Sequence, residues 1–414
     1  MKKCLLIGFC AALIVPCCLS QNNLVSYQSE LTIEQNIAKN AIAFQSNNEF
    51  YFFDDIAERS SVISLGERGH DDISSYEVKS KMINYLKTKQ FKSVALEAAP
   101  FLSTYVFSNP EYCDLTKDWK IEHFWWLMFR EGKEEALKLF TEAVYRQEIK
   151  IYGMDSHLGD YDVISAKAIL DKYLKMFPVD INWSKLQDFY TRYFVFYEYP
   201  NIQPLRTEEQ YELMRMIDTI SNYVHYIISE KERTTDLAAV LQWIRNINTG
   251  FSYVKYNNPQ SADMQKFIFR NRDIQMAENM IWLTKNYPKE KFIIWQANFH
   301  GAKDISQTTY PTDSLLYFIF QSMGETLYNE LGDKFYSLAI ASLSPEIENR
   351  GVLESEIDIV TNNTPFAFVD FKPLRYADGY RDKELDSEVI MKKKGKWLYI
   401  FDGLYYIKDQ KYSQ

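Results

Sequence analysis

"SSVISLGERGH", residues 60–70, decides how this chain folds. Val62, Ile63 and Leu65 make a short apolar run that stops at Gly66, the pattern of a strand buried in a sheet and ended by a turn. Behind it, "YEVKSKMINYLKTKQ" (76–90) puts Tyr76, Ile83 and Leu86 on roughly one helical face, and "FKSVALEAA" (91–99) is a second buried run. Leu96 follows Leu65 by 31 positions, which suits one strand–helix–strand unit with parallel strands.

The rhythm recurs outward from there. "EEALKLFTEAVYRQE" (134–148) is an amphipathic helix, and "IKIYGMDSH" (149–157) is a strand that stops at Gly153 and Asp155. Three such alternations predict an α/β chain with a mostly parallel sheet. From 158 to 267 the strands give way to helical patterns such as "TEEQYELMRMIDTISNYVHYIISEKER" (207–233) and "TTDLAAVLQWIRNI" (234–247). We read a helical insertion there, between core segments 21–157 and 268–414. A helix over 262–287 leads back to the strand "KFIIWQANFH" (291–300). "FYSLAIASL" (335–343), "FAFVDF" (366–371) and "WLYIFDGLYYI" (397–407) add strand-like runs, and "LTIEQNIAKNAIAF" (31–44) has helical spacing. No repeat, low-complexity tract or flexible linker separates the parts.

Residues 1–20, "MKKCLLIGFCAALIVPCCLS", pair two lysines with an apolar run too short to span a membrane, the pattern of a secretory signal peptide cut after Ser20. An exported protein, periplasmic or extracellular, is expected. A lipoprotein is the weaker alternative, because Pro16 precedes Cys17 and Cys18 where a lipobox has a small residue. Cleavage leaves 45 basic against 56 acidic residues, a net charge of −11, and Cys113 as the single cysteine. The acidic balance and the lack of a dense basic run argue against nucleic acid as a partner. With one cysteine no intramolecular disulfide forms; Cys113 is expected to be a packed or idle thiol.

Polar side chains concentrate where the strands end: Glu67 and His70 after "VISLG", Glu97 in "SVALE", Asp155 in "IYGMD", Asn298 and His300 in "IIWQANFH". In an open parallel sheet these carboxyl ends share one edge, where ligands bind. Taken singly, each residue reads as a solvated carboxylate or a satisfied structural histidine. Their joint placement is what points to a site. G-x-S-x-G, H-E-x-x-H, paired C-x-x-C, P-loop and G-x-G-x-x-G patterns are all missing, so serine hydrolase, zinc and nucleotide chemistries lack their anchors. Histidine with carboxylates remains. A neutral imidazole can take a proton from water while a carboxylate on the other ring nitrogen fixes its tautomer. Among the other histidines, His123 reads as core or cleft wall, His225 lies in an insertion helix, and His157 follows Asp155 closely enough to line a cleft. Trp125 and Trp126 read as buried core or as a seat for a bulky apolar ligand.

At this point the motifs resemble those of the erythromycin esterase family. "LGERGH" is similar to its G-E-x-x-H signature, "VALEAA" to its A-L-E-A strand and "YGMD" to its G-[FL]-D. "RDIQMAENMIWL" (272–283) resembles the R-D-x-x-M-A-x-N-x-x-W helix, "WQANFH" matches W-A-H-N-x-H in part, and "FDGLYYI" resembles a segment near the family's C-terminus. The matches stand in order from residue 62 to residue 407. The resemblance implies a three-layer α/β/α core with a long helical insertion and a hydrolase site that needs no metal or other cofactor. It also implies a small-molecule ester or lactone substrate, the macrolide lactone in resistance enzymes, opened by water without a covalent intermediate. On that template His70 is the general base, Glu67 and Glu97 its supporting carboxylates, and His300 a second histidine near the carbonyl or leaving oxygen.

Arg272, Met276 and Asn279 share a helix face, so Arg272 either reaches the cleft or, with Asp273, belongs to a buried ion pair locking helix to sheet. Asp155 and Asn298 carry the same two readings, ligand contact or strand-end hydrogen bonding. Three departures from the family stand out. Ala297 replaces the first histidine of W-A-H-N-x-H, Asp71 replaces a glycine beside His70, and Lys79 replaces an arginine nine residues after His70. Asp71 would favour the imidazolium of His70, and Lys79 keeps a charge without a bidentate fork. Two alternatives follow: a ligand-binding homologue without turnover, and a metal-dependent hydrolase using His70, His300 and the glutamates.

Overall fold

Neighbouring residues of the same strand enter different cores. Ile63 and Leu65, Val94 and Leu96, and Ile293 and Trp295 pack into one apolar layer, whereas Val62, Ala95, Phe292 and Ile294 pack into another. That is the two-residue alternation of a pleated strand with both faces covered. The computed structural model describes residues 32–123, 133–156, 159, 161–174, 176–195, 205–231, 233–255, 262–309, 321–342, 352–362, 364–376, 380, 383–387, 389–390 and 393–411.

The chain begins with α1 (Ile33–Ala38), β1 (Ile42–Phe44), α2 (Phe53–Arg59), β2 (Val62–Leu65), α3 (Ile73–Thr88) and β3 (Phe91–Pro100). It continues through α4 (Phe101–Phe107), α5 (Cys113–Thr116), α6 (Glu134–Tyr145) and β4 (Lys150–Asp155). Between β4 and the next strand come α7 (Asp162–Leu174), α8 (Trp183–Tyr190), α9 (Thr207–Glu230), α10 (Thr235–Lys255) and α11 (Ala262–Asn286). The α11 helix runs unbroken through residue 267, where the expected insertion ends. Then follow β5 (Lys291–Trp295), α12 (Asn298–Gly301), β6 (Thr308–Thr309), α13 (Met323–Leu331), β7 (Phe335–Ser342), α14 (Val352–Val360) and β8 (Phe366–Asp370). The last elements are β9 (Leu385–Ser387), β10 (Lys393–Gly395), α15 (Trp397–Ile400) and β11 (Gly403–Ile407).

Eight strands form one sheet in the order β1-β8-β11-β7-β2-β5-β3-β4, and a small sheet joins β6, β10 and β9. From β11 to β4 every pairing is parallel; only β8 runs against its neighbours. Helices α2, α3 and α6 cover one face. On the other face α4 and α7 to α11 cover the β3–β5 half, while α14 and the small sheet cover the β7–β11 half. The architecture is therefore three-layer α/β/α with a mostly parallel sheet. No helix among the described residues is long and apolar enough to cross a membrane.

Two sequence readings change at the ends of the chain. "WLYIFDGLYYI" is not one strand: Trp397–Ile400 is a helical turn, and the strand starts at Gly403. Asp402 separates the two, fully buried, accepting from Ser337 N at 2.9 Å, Lys303 Nζ at 2.6 Å and Arg375 Nη2 at 2.8 Å. The helical spacing over 31–44 holds only to Ala38, and Ile42–Phe44 pairs as an edge strand with β8. Residues 1–20, His157, Trp125 and Trp126 lie outside the described residues.

Candidate functional site

At the carboxyl end of β2 the chain turns through Gly66. A side chain there would put its Cβ 1.9 Å from Asn298 Oδ1, so only glycine lets the ends of β2 and β5 meet this closely. Asn298 is buried and fully engaged: Nδ2 donates to the carbonyls of Ile340 and Val389, both at 2.8 Å, and Oδ1 accepts from Ile340 N at 3.1 Å. Its own N–H donates to Glu67 O at 2.7 Å. Of its two sequence readings the geometry supports strand-end hydrogen bonding, since no polar atom is left for a ligand.

Glu67, buried, faces two partners. Oε1 lies 2.9 Å from His70 Nδ1, and Oε2 accepts from Lys79 Nζ, whose burial, opposed by Glu97, holds the amine well below the usual lysine range. Lys79, also buried, donates to the Gln296 carbonyl at 2.9 Å and lies 5.1 Å from the Trp295 ring centroid. It therefore ties the ends of β2 and β5 together from α3. The His70 side chain is 44% exposed, so its Nε2 edge opens outward while Nδ1 is anchored on Glu67. Asp71 is exposed and has no hydrogen bond or ion pair among the described residues; it does not join the cluster. Asp72, next along, caps α3 by accepting from Ser75 N at 3.3 Å and is buried among Ser75 and Ser342 hydroxyls. Burial raises its carboxyl above the usual range, against those hydrogen bonds.

Glu97 comes to the same place from β3 through a kink. Ala98 has φ +57°, in the left-handed region that is costly for a residue with a Cβ, and its N–H donates to Asp155 Oδ2 at 3.1 Å. The β3–β4 register shifts there, and the bulged backbone presses on Gly153, where a Cβ would come within 2.2 Å of Pro100 O. The kink delivers a carboxylate with 2% exposure between two imidazoles: Oε1 is 3.0 Å from His300 Nε2 and 3.7 Å from His70 Nε2. Oε2 accepts from Ala297 N at 2.7 Å. Burial opposes the charge of Glu97, but His300 and then His70 outweigh it and hold the carboxyl well below its usual range.

His300 sits behind Glu97 with 5% exposure. Its Nδ1 is 2.8 Å from Asp273 Oδ1. Burial works against its charge, yet Asp273 and Glu97 raise its pKa to about 9, so it is an imidazolium at neutral pH. Both N–H groups are then engaged by carboxylates, and the sequence expectation of a histidine at the carbonyl or leaving oxygen is not what this geometry presents. Arg272 Nη1, 3.3 Å from His300 Nε2, is a like-charge neighbour. The contact is held by carboxylates: Arg272 donates through Nε to Asp155 at 3.0 Å and through Nη2 to Glu97 Oε1 at 3.3 Å and Asp155 Oδ2 at 2.5 Å. Burial would lower the Arg272 pKa, but Asp155 and Glu97 raise it overall. Asp155 is fully buried, so Arg272–Asp155 locks α11 to β4, and Asp273 separately fixes His300 and the Met323 N–H at 2.9 Å.

Sequence reasoning missed Lys133, just before α6. It has 2% exposure, donates to the main-chain carbonyl of His70 and lies 4.7 Å from the Tyr76 ring centroid. No motif marks it, and it is 63 positions from its partner. His123, read as core or cleft wall, is exposed and stacks on Tyr161 at 5.6 Å. His225 is exposed on α9, and Cys113 is a free, exposed thiol rather than a packed one. No group of three or more His, Cys, Asp or Glu among the described residues is arranged to hold a metal ion. The carboxylates near His70 and His300 instead face Lys79, Arg272 and each other's imidazoles.

The arrangement is a half-exposed histidine oriented by a buried carboxylate, beside a second carboxylate kept ionised by a buried imidazolium. Chemically it can accept a proton at His70 Nε2 and stabilise the resulting positive charge from two sides. Comparison with known proteins gives the family and the fold. The family model described as erythromycin esterase matches residues 141–347. A Bacillus cereus protein of solved structure superposes with a TM-score of 0.64 at 17% identity, covering 93% of this chain and 99% of its own. A mutant of the erythromycin esterase EreC in its open conformation gives 0.63 at 11% identity, with 90% and 98% covered. A succinoglycan biosynthesis protein gives 0.59 at 14% identity, with 93% and 98% covered. At these identities the superpositions show a shared fold. No curated protein matches the chain.

Proposed function

Because the chain belongs to the erythromycin esterase family, a family of hydrolases, we propose that it cleaves a carboxylic ester or lactone by histidine-activated water. The observation that carries this reading is the Glu67–His70–Glu97 alignment, 2.9 Å on one ring nitrogen and 3.7 Å on the other. Glu67 accepts the Nδ1 proton and so leaves the Nε2 lone pair on the exposed edge of the ring, 3.7 Å from Glu97. A water held there attacks the ester carbonyl while Nε2 takes its proton, and the imidazolium that forms lies between the Glu67 and Glu97 carboxyl groups. The proton is then available to the leaving alkoxide, so no covalent intermediate is needed. His300 acts through Glu97, keeping that carboxylate charged in a buried place.

The substrate is a small molecule with a hydrolysable ester or lactone; a macrolide lactone belongs in the first panel because a structural neighbour is an erythromycin esterase. The leader over residues 1–20 supports export to the periplasm or the exterior. Purified protein is expected to hydrolyse a member of an ester and lactone panel, and His70→Ala to lower kcat by a factor on the order of 10² to 10⁴ with its melting temperature kept. Activity that survives this substitution refutes the mechanism.

Binding without turnover is the second reading, favoured by Ala297. Its N–H is engaged by Glu97 and its methyl group brings no proton donor to the half-buried rim of the site. A ligand that raises the melting temperature yet is recovered intact after long incubation, with no panel member hydrolysed, selects this reading.

A further inference from the structure

We propose that Lys133 is a positioning residue for His70, a main-chain clamp that sets the ring against Glu67. The proposal rests on the reading of His70 as base. His70 lies in the turn between β2 and α3, and it is exposed, so packing does little to hold it. Two contacts fix it from opposite ends of the residue: Nδ1 meets Glu67 Oε1 at 2.9 Å, and the carbonyl oxygen accepts from Lys133 Nζ. The first sets ring rotation; the second sets the peptide plane from which the ring projects.

Lys133 is built for this. Only 2% of it is exposed, and burying a flexible ammonium costs several kcal/mol unless acceptors are waiting. Its acceptors include the His70 carbonyl and the face of Tyr76, 4.7 Å away on the first turn of α3. The segment that carries it is itself pinned to α3, because Ser80 Oγ donates to the Ala136 carbonyl at 2.7 Å, and Leu137 N donates to the Lys133 carbonyl at 3.0 Å within the first turn of α6. The ammonium therefore reaches His70 from a fixed base. A loosened His70 carbonyl would let the Nδ1–Glu67 bond lengthen, and a misplacement of about 1 Å at a general base can cost on the order of 10²-fold in rate.

The test compares wild type with Lys133→Met, which keeps the length and removes the donor, and Lys133→Gln, which keeps a neutral donor on a shorter stem. On an ester that the wild type hydrolyses, the expected result for Lys133→Met is a kcat loss of about 10- to 100-fold with KM changed less than about threefold, partly restored in Lys133→Gln. A loss confined to KM, or an unchanged kcat in folded Lys133→Met, overturns the proposal. If Lys133→Met fails to fold, Lys133→Gln is read by the same criterion. A second readout needs no turnover: the imidazole Nδ1 proton of His70, bonded to Glu67, is expected as a downfield proton resonance, absent in His70→Ala and lost or broadened in the Lys133 variants. A resonance identical in wild type and folded Lys133 variants refutes the clamp even if no substrate is found, whereas a lost resonance with an inactive wild type refutes only the hydrolase reading.

Discussion

His300 makes a pH-dependent contribution to stability that can be worked out from its surroundings. The ring lies between Asp273 at 2.8 Å and Glu97 at 3.0 Å, and its pKa is raised from 6.5 in an unstructured chain to about 9. Below pH 6.5 the folded and unfolded chains both carry the proton, and the full benefit of the ion pairs is present. Between 6.5 and 9 the unfolded chain releases the proton and the folded one keeps it, so stability falls with rising pH and the contribution is gone above about 9. A rise of that size corresponds to about 3 kcal/mol, an upper figure because the unfolded chain is not free of interactions. Lys303 has the opposite sign: burial pushes it to about 8, and it adds stability above that pH. It is common to wild type and variant and cancels in their difference. The assay is urea unfolding of wild type and His300→Gln at half-unit steps from pH 6.5 to 9. Wild type should lose about 3 kcal/mol relative to the variant across this window, while the variant is less stable at pH 6.5 because Asp273 and Glu97 are left buried without their cation. A difference that stays constant from pH 6.5 to 9 would show that His300 is not held as an imidazolium, and would remove the reason given for the ionised state of Glu97.

Two further outcomes follow from the geometry. Glu67→Gln replaces the carboxylate that accepts from His70 Nδ1, so kcat should fall by a factor on the order of 10² or more, read by steady-state kinetics. Asn298→Ala leaves three main-chain groups of β7 and the Val389 region without partners, and is expected to cost about 2–4 kcal/mol in a denaturation curve; an unchanged curve would contradict its structural role.

Much of the site was legible because each of its motifs sits where a strand stops. Glu67, His70, Glu97, Asp155, Asn298 and His300 were all identified from apolar runs ending in polar residues, and the sheet brings those ends to one edge. What the pattern did not reveal is which of them face a ligand. Asn298 and Asp155 are engaged by main chain and by Arg272, and Asp71, adjacent to His70 in sequence, is exposed and makes no hydrogen bond to the cluster. Lys133 was invisible because one long side chain reaching a carbonyl leaves no periodic trace.

The sequence by itself determined the layers: strand-length apolar runs spaced by amphipathic helices can bury both faces only as a parallel sheet between helices. It also determined the family, through short motifs in a fixed order. Only the tertiary structure decided the charge states and the roles they allow. Glu97 is ionised and His300 protonated although burial opposes both charges, because each is the other's counter-charge, with His70 and Asp273 beside them, at a distance set by the Ala98 kink in one strand and the turn after another. Such coupling depends on separations of about 3 Å between residues two hundred positions apart, and linear sequence does not encode it in any local pattern.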